Sequence, residues 1–207
     1  GSGMAAIANT LFCLASAGRT IVTSRHLFGN TLALVQDTMA RFGVGLRFCD
    51  LTDTADVEAA LDDTTCCIFM EVMTNPQLEV ADIAALSSLA HKHRLPLIAD
   101  TTMVPFIVFD GKALGIDVEV VSSTKYISGG ATSIGGLVIL HAAESDFKRR
   151  MRQEMLMNFG AYMTPHVAYM QTLGLETLAV RYEKQTQNAL AMAEALQHMP
   201  EVKAVRY

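Results

Sequence analysis

Cys66-Cys67-Ile68-Phe69-Met70-Glu71-Val72 is a continuous apolar run with turn signals on either side, and a run apolar on both faces suits a strand buried inside a parallel sheet. Working outward toward the N-terminus, a short helix over 55–61 follows the capping candidates Thr52 and Asp53, and a strand precedes it over 44–49. Before that, Asn30 opens a helix over 31–42 that Gly43 closes, and Thr20-Ile21-Val22-Thr23 reads as a strand. The chain begins with an Ala-rich helix over 4–15, capped by Ser2 and stopped by Gly18. In the other direction, Asn75-Pro76 makes a turn, and a helix is expected over 81–93. Strands follow over 97–101, 118–122 and 136–140. Strands alternating with helices predict an α/β fold with a parallel or mostly parallel sheet and helices on both faces. From Asp146 the sequence turns helical, with a long helical stretch over 166–198 broken at Gly174, and 140–147 is a terse connector.

The composition narrows the class. The 207 residues are 51% hydrophobic and 18% charged, and 16 Lys+Arg against 21 Asp+Glu give a net charge of −5. That balance fits a globular chain and offers no basic stripe for a phosphate backbone, so no nucleic-acid partner is expected. Cys13, Cys49, Cys66 and Cys67 form no C-x-x-C pair, and no His stands at metal-finger spacing. Reduced thiols in a cytoplasmic protein are expected, with no disulfide framework and no metal site. Ala15-Ser16-Ala17 mimics a signal-peptidase site, but the uncharged opening has no basic segment and is interrupted by Asn9 and Thr10. It reads as a buried helix, not a leader or a membrane span. A start without Met and a mean hydropathy of +0.28 predict a chain that lacks flanking segments or is covered by other subunits.

Three constellations carry chemistry. Gly1-Ser2-Gly3-Met4-Ala5-Ala6 satisfies the dinucleotide pattern G-x-G-x-x-A, yet no strand precedes it, and the next strand ends in Ser24-Arg25-His26, where an acid is required. A nucleotide-binding reading is disfavoured on those grounds. The backbone N–H groups at a helix start nevertheless remain available to an anion. In Val120-Val121-Ser122-Ser123-Thr124-Lys125-Tyr126 an apolar strand ends in hydroxyls and a lysine. Extended geometry puts Ser122 and Thr124 on one side and Lys125 on the other, and burial at a strand end would make that lysine a nucleophilic amine. Leu97-Ile98-Ala99-Asp100-Thr101-Thr102 ends a third strand in a carboxylate, at the sheet edge where open α/β folds bind ligands. A lysine and an aspartate facing one crevice, with hydroxyls and a helix start for a phosphate, meet the needs of pyridoxal phosphate.

Ser2 to Ala6, Leu27-Phe28-Gly29-Asn30-Thr31, Glu71 to Pro76, Asp100-Thr101-Thr102 and Ser122 to Ile127, in that order, resemble the Cys/Met-metabolism family of pyridoxal-phosphate enzymes. This family includes cystathionine γ-synthase, cystathionine and methionine lyases, and O-acyl-homoserine sulfhydrylases. The segment 160–182 also resembles the family's passage out of its cofactor domain. The resemblance implies the large domain of a fold-type I enzyme over 1–160, with its N-terminal segment missing. It also implies a helical connector over 161–207 into an absent C-terminal domain.

Carried over to this sequence, the resemblance makes Lys125 the Schiff-base lysine and Asp100 the partner of the pyridine nitrogen. Gly3 and Met4 would give N–H groups to the phosphate, with Ser122 and Thr124 adding hydroxyls. Asn75 would bond the cofactor's phenolic oxygen, and Phe28 would stack on the ring. Many relatives carry Tyr at the Phe28 position, and the Phe tilts the expectation toward sulfide addition. The implied reaction is γ-replacement on an O-acyl-homoserine by sulfide or a thiol. The alternatives are a cystathionine or methionine γ-lyase, a cystathionine γ-synthase, or a catalytically silent module. A homo-oligomer is implied, a dimer or a tetramer built as a dimer of dimers, because a neighbouring subunit completes the cofactor site in the family. The arginine that grips the substrate carboxylate is expected outside these residues, and Arg181 and Arg206 match no family arginine.

Overall fold

The computed structural model describes residues 1–141 and 146–207; the connector read over 140–147 therefore lies in part outside the described residues. Helix α1 (Gly3–Leu14) starts where Ser2 Oγ accepts the Ala5 N–H at 3.0 Å. Strand β1 (Thr20–Thr23) follows, then α2 (Gly29–Ala33). The single helix expected over 31–42 is not continuous. It passes into a π-helical turn at Leu34–Thr38 and a 3₁₀ turn at Met39–Phe42, before Gly43 ends it at φ 76°. The buried positions Thr31, Val35 and Met39 recur every four residues, and a turn wider than 3.6 residues keeps them on one face.

Strand β2 (Gly45–Phe48) leads to α3 (Thr54–Ala60), whose cap is Asp53, accepting the Ala55 N–H at 2.9 Å. Strand β3 (Thr65–Glu71) is buried at every position. Helix α4 (Ile83–Lys92) is capped by Asp82, and β4 (Leu97–Asp100), β5 (Val118–Val121) and β6 (Leu137–Leu140) complete the sheet. Helix α5 (Asp146–Arg150) widens into a π-helical segment at Met151–Asn158. The last helices are α6 (Pro165–Glu176) and α7 (Leu178–Gln197). The break between them falls at Thr177 and not at Gly174, which lies inside α6. A Cβ on Gly174 would collide with the Ile127 carbonyl, so this glycine serves close packing of α6 on the loop after β5.

The six strands are ordered β2-β1-β3-β4-β5-β6, parallel throughout except for β6, which runs antiparallel to β5. The protein is thus a mostly parallel α/β sheet flanked by helices. Alternation along β3 feeds two cores. Cys67 and Phe69 pack with Ile7, Leu11 and Met39 on one face, while Ile68 and Met70 pack with Leu86, Ala90 and Val57 on the other. Each fully buried side chain of this size contributes roughly 1.5–3 kcal/mol, so β3 holds both layers together. The strand order reverses between β1 and β3, which opens a crevice at their C-terminal ends. Among the described residues no helix is long and apolar enough to cross a membrane.

Candidate active site

All eight residues singled out in the sequence, Gly3, Met4, Phe28, Asn75, Asp100, Ser122, Thr124 and Lys125, line one cavity of about 730 Å³ at the C-terminal edge of the sheet. The geometry near Lys125 differs from the expectation. Strand β5 ends at Val121, and residues 122–128 coil into turns in which Lys125 N–H reaches Ser122 O at 3.1 Å and Ser128 Oγ donates to Thr124 O at 2.6 Å. Strand alternation therefore no longer holds, and Ser122, Thr124 and Lys125 all border the same space. Lys125 is also exposed to that space, not buried at a strand end.

One end of the cavity is an anion cradle. The N–H groups of Gly3 and Met4 have no carbonyl within α1 to reach. Gly3 lies against Ser122 so closely that a Cβ would stand 2.5 Å from the serine Cβ. The second of the paired glycines thus serves close approach of helix to turn, which accounts for a glycine at that place without a dinucleotide fold. Ser122 Oγ makes no hydrogen bond among the described residues. Thr124 Oγ1, by contrast, donates to Gly135 O at 3.2 Å and accepts the Gly135 N–H at 3.0 Å, so it must turn to serve an anion.

The cavity lining also includes an acid. Asp100 closes β4, accepts the Thr102 N–H at 2.9 Å, and has its carboxyl raised by burial against the pull of its bonds to Thr102. Thr102 Oγ1 in turn accepts the Ser122 N–H at 2.8 Å, tying the ends of β4 and β5 together. Phe28, at the start of α2, remains 42% exposed toward the cavity.

The sequence reading assigned no role to Glu71. It stands opposite Asp100 in the parallel register of β3 and β4. One carboxylate oxygen accepts the Phe28 N–H at 2.6 Å and the other the Asn75 N–H at 3.3 Å. Burial pushes its carboxyl up to about 7, and the neighbouring Asp100 adds to the rise while the two N–H groups oppose it. A single acid at the end of an otherwise apolar strand, matching the place of Asp100 on its own strand, was the signal available. Arg181 on α7 also borders the cavity, with Nη2 donating to Gly174 O at 2.8 Å.

An anion cradle, an accessible amine and a buried carboxylate surround a volume sized for a cofactor with substrate. The Gly3 cradle and the amine–acid pair match the phosphate, aldehyde and ring nitrogen of pyridoxal phosphate, so the donor set fits that group.

Comparison with known proteins agrees. The family model for Cys/Met-metabolism PLP-dependent enzymes matches residues 1–207. The chain is 36% identical over 208 residues to an L-methionine gamma-lyase from Pseudomonas deceptionensis, covering 100% of this chain and 51% of that protein. It superposes on the O-acetylhomoserine sulfhydrylase of Wolinella succinogenes with a TM-score of 0.91 and 45% identity, covering 100% of this chain and 64% of the other. A Campylobacter jejuni structure described as an O-acetylhomoserine (thiol)-lyase gives a TM-score of 0.95 at 33% identity, covering 100% of this chain and 57% of the other; it carries N'-pyridoxyl-lysine-5'-monophosphate. The chain spans about half the length of the curated relatives it matches.

Proposed function

The chain belongs to the Cys/Met-metabolism family of pyridoxal-phosphate-dependent enzymes, and on that premise we propose that the whole protein replaces the γ-substituent of an O-acyl-homoserine with sulfide or a thiol. The carrying observation is the cavity itself, with Lys125, Asp100 and the α1 N-terminus around it and a phenyl ring, not a phenol, at Phe28. Pyridoxal phosphate, held by Lys125, supplies an electron sink for the substrate α-carbon. Gly3, Met4, Ser122 and Thr124 would hold its phosphate and Asn75 its phenolic oxygen, and Phe28 would face its ring. Asp100, which forms no ion pair among the described residues, is suited to hold a proton at the ring nitrogen by charge.

Lys125 Nζ is the mobile base over the cavity and moves protons at the substrate α- and β-carbons. In the net reaction the Cγ–O bond breaks and the acyl group leaves as a carboxylate. Hydrogen sulfide ion forms the new Cγ–S bond, giving homocysteine, and a thiolate in its place gives a thioether such as methionine. A carboxylate leaves without an acid catalyst, whereas a thiolate expelled from methionine profits from a nearby hydroxyl, which Phe28 lacks. The runner-up is a γ-lyase, which the 36% identity to an L-methionine gamma-lyase favours.

We place residues 1–160 in the cofactor domain, with 161–207 as its helical exit, and the enzyme in the cytoplasm as a homo-oligomer. The assembly is supported by exposed Phe106, Ile107 and Val108 on one loop and by Met157, Phe159 and Tyr162 at and just beyond the end of the π-helical segment Met151–Asn158. The test of the activity is kcat/KM of the full-length protein for O-acetyl- and O-succinyl-homoserine with sulfide, against methionine and cystathionine. The acyl substrates should lead by at least about tenfold, and Phe28→Tyr should raise lyase activity. Preference for methionine, or no lyase gain in Phe28→Tyr, moves the γ-lyase ahead.

A further inference from the structure

We infer that Glu71 is a positioning residue that fastens the two loops presenting Phe28 and Asn75 to the cofactor cavity, using both oxygens of one buried carboxylate. The inference rests on the cofactor reading above for what those loops present, but the fastening is visible in the chain itself. Phe28 lies past the end of β1 and Asn75 past the end of β3, on either side of the point where the strand order reverses. No β-ladder bond holds either residue. Glu71, the last residue of β3 and only 8% exposed, accepts the Phe28 N–H at 2.6 Å and the Asn75 N–H at 3.3 Å with its two carboxyl oxygens.

The same carboxylate forms part of the wall between the cofactor cavity and a second cavity of about 520 Å³ behind it. Across that second cavity, His26 and Glu79 pair the same two loops at 2.5 Å, but with side chains 44% and 34% exposed. An exposed pair of this kind holds weakly, whereas a charge-assisted bond to a buried carboxylate is among the stronger ones. Glu71 is therefore the principal tie and His26–Glu79 the lesser one. Holding a charge beside Asp100 in this position is costly, since burial raises the Glu71 carboxyl to about 7. A buried acid at that cost, with both oxygens spent on two loop N–H groups, has a positioning role that a core apolar residue could not fill.

The test uses full-length protein as wild type, Glu71→Gln, Glu71→Leu and Glu79→Gln. Amide hydrogen exchange at Phe28 and Asn75 is read in protein stripped of cofactor, and pyridoxal phosphate affinity is read by absorbance titration. Circular dichroism of the bound cofactor reports its orientation. Gln has one acceptor oxygen, so Glu71→Gln should keep one of the two amides protected and free the other, while Glu71→Leu frees both. Cofactor affinity should fall by about tenfold in Glu71→Gln and further in Glu71→Leu, and Glu79→Gln should change it less than about twofold. Thermal unfolding identifies any variant that fails to fold, and Glu71→Gln, nearly isosteric, then decides. Unchanged exchange at both amides in Glu71→Gln overturns the inference, as does cofactor affinity within twofold of wild type despite faster exchange. A wild type that binds no pyridoxal phosphate instead overturns the functional reading, and the exchange data still judge the tie.

Discussion

Gly3 and Ser122 meet with no space for another carbon between them: a Cβ on Gly3 would stand 2.5 Å from the serine Cβ and 2.9 Å from its Cα. This contact sets the start of α1 against the turn that carries Lys125, so the proposed phosphate cradle and the proposed Schiff-base amine share one joint. Gly3→Ala should cost roughly 1–3 kcal/mol of stability through overpacking and weaken cofactor binding at the phosphate. Gly29→Ala, where nothing lies within 4 Å, should be neutral or slightly stabilising in a helix. Urea unfolding and cofactor titration of the two variants check this, and equal behaviour would mean the joint yields easily.

The buried carboxyls predict an unusual pH dependence for cofactor-free protein. Glu71 titrates at about 7 in the fold against 4.5 as its ordinary value, so between those pH values the fold retains a proton that the unfolded chain has released. The unfolded state then binds fewer protons, and stability falls as pH rises through this window, by on the order of 3 kcal/mol at full effect. Asp100, also raised, acts in the same direction. The charged and titratable groups around Glu71 are Asp100 on β4, Lys125 and Arg181 on the cofactor cavity, and Arg25, His26, Asp50, Asp56, Glu79 and Arg206 on the second cavity. Unfolding free energies from pH 4.5 to 7 should show this decline, with a flatter profile for Glu71→Gln. A rise over the same range in wild type would contradict the assignment.

Asp100→Asn fills the space of the carboxylate but cannot stabilise a ring proton by charge. In the full-length enzyme kcat should fall at least about 100-fold, with a much smaller loss of cofactor affinity. Turnover within a few-fold of wild type would make Asp100 a structural acceptor for the Thr102 N–H.

The parallel core was legible because β3 is apolar at consecutive positions and its neighbours repeat the pattern, with caps readable at Ser2 and Asp53, whereas the Asp82 cap fell inside the helix expected over 81–93. The antiparallel direction of β6 was not, since Leu137-Val138-Ile139-Leu140 reads alike either way and only the turn through 122–136 decides it. The division of the helix at 34–42 depends on which side chains meet the sheet, a tertiary fact that periodicity alone does not state. Gly174 looked like a helix breaker because the loop that requires its missing side chain is some 45 residues away in sequence. The site residues came together as the ordered motifs implied. The side of Lys125 did not follow from alternation, because the strand ends four residues earlier, and Glu71 was hidden within the run that announced the fold.

The central claim is that Lys125 carries pyridoxal phosphate in this cavity. The most direct measurement is borohydride reduction of the full-length protein loaded with pyridoxal phosphate, followed by peptide mass analysis. A single pyridoxyl adduct on Lys125, absent from Lys125→Ala, is the predicted result; an adduct on another lysine, or none, would contradict it.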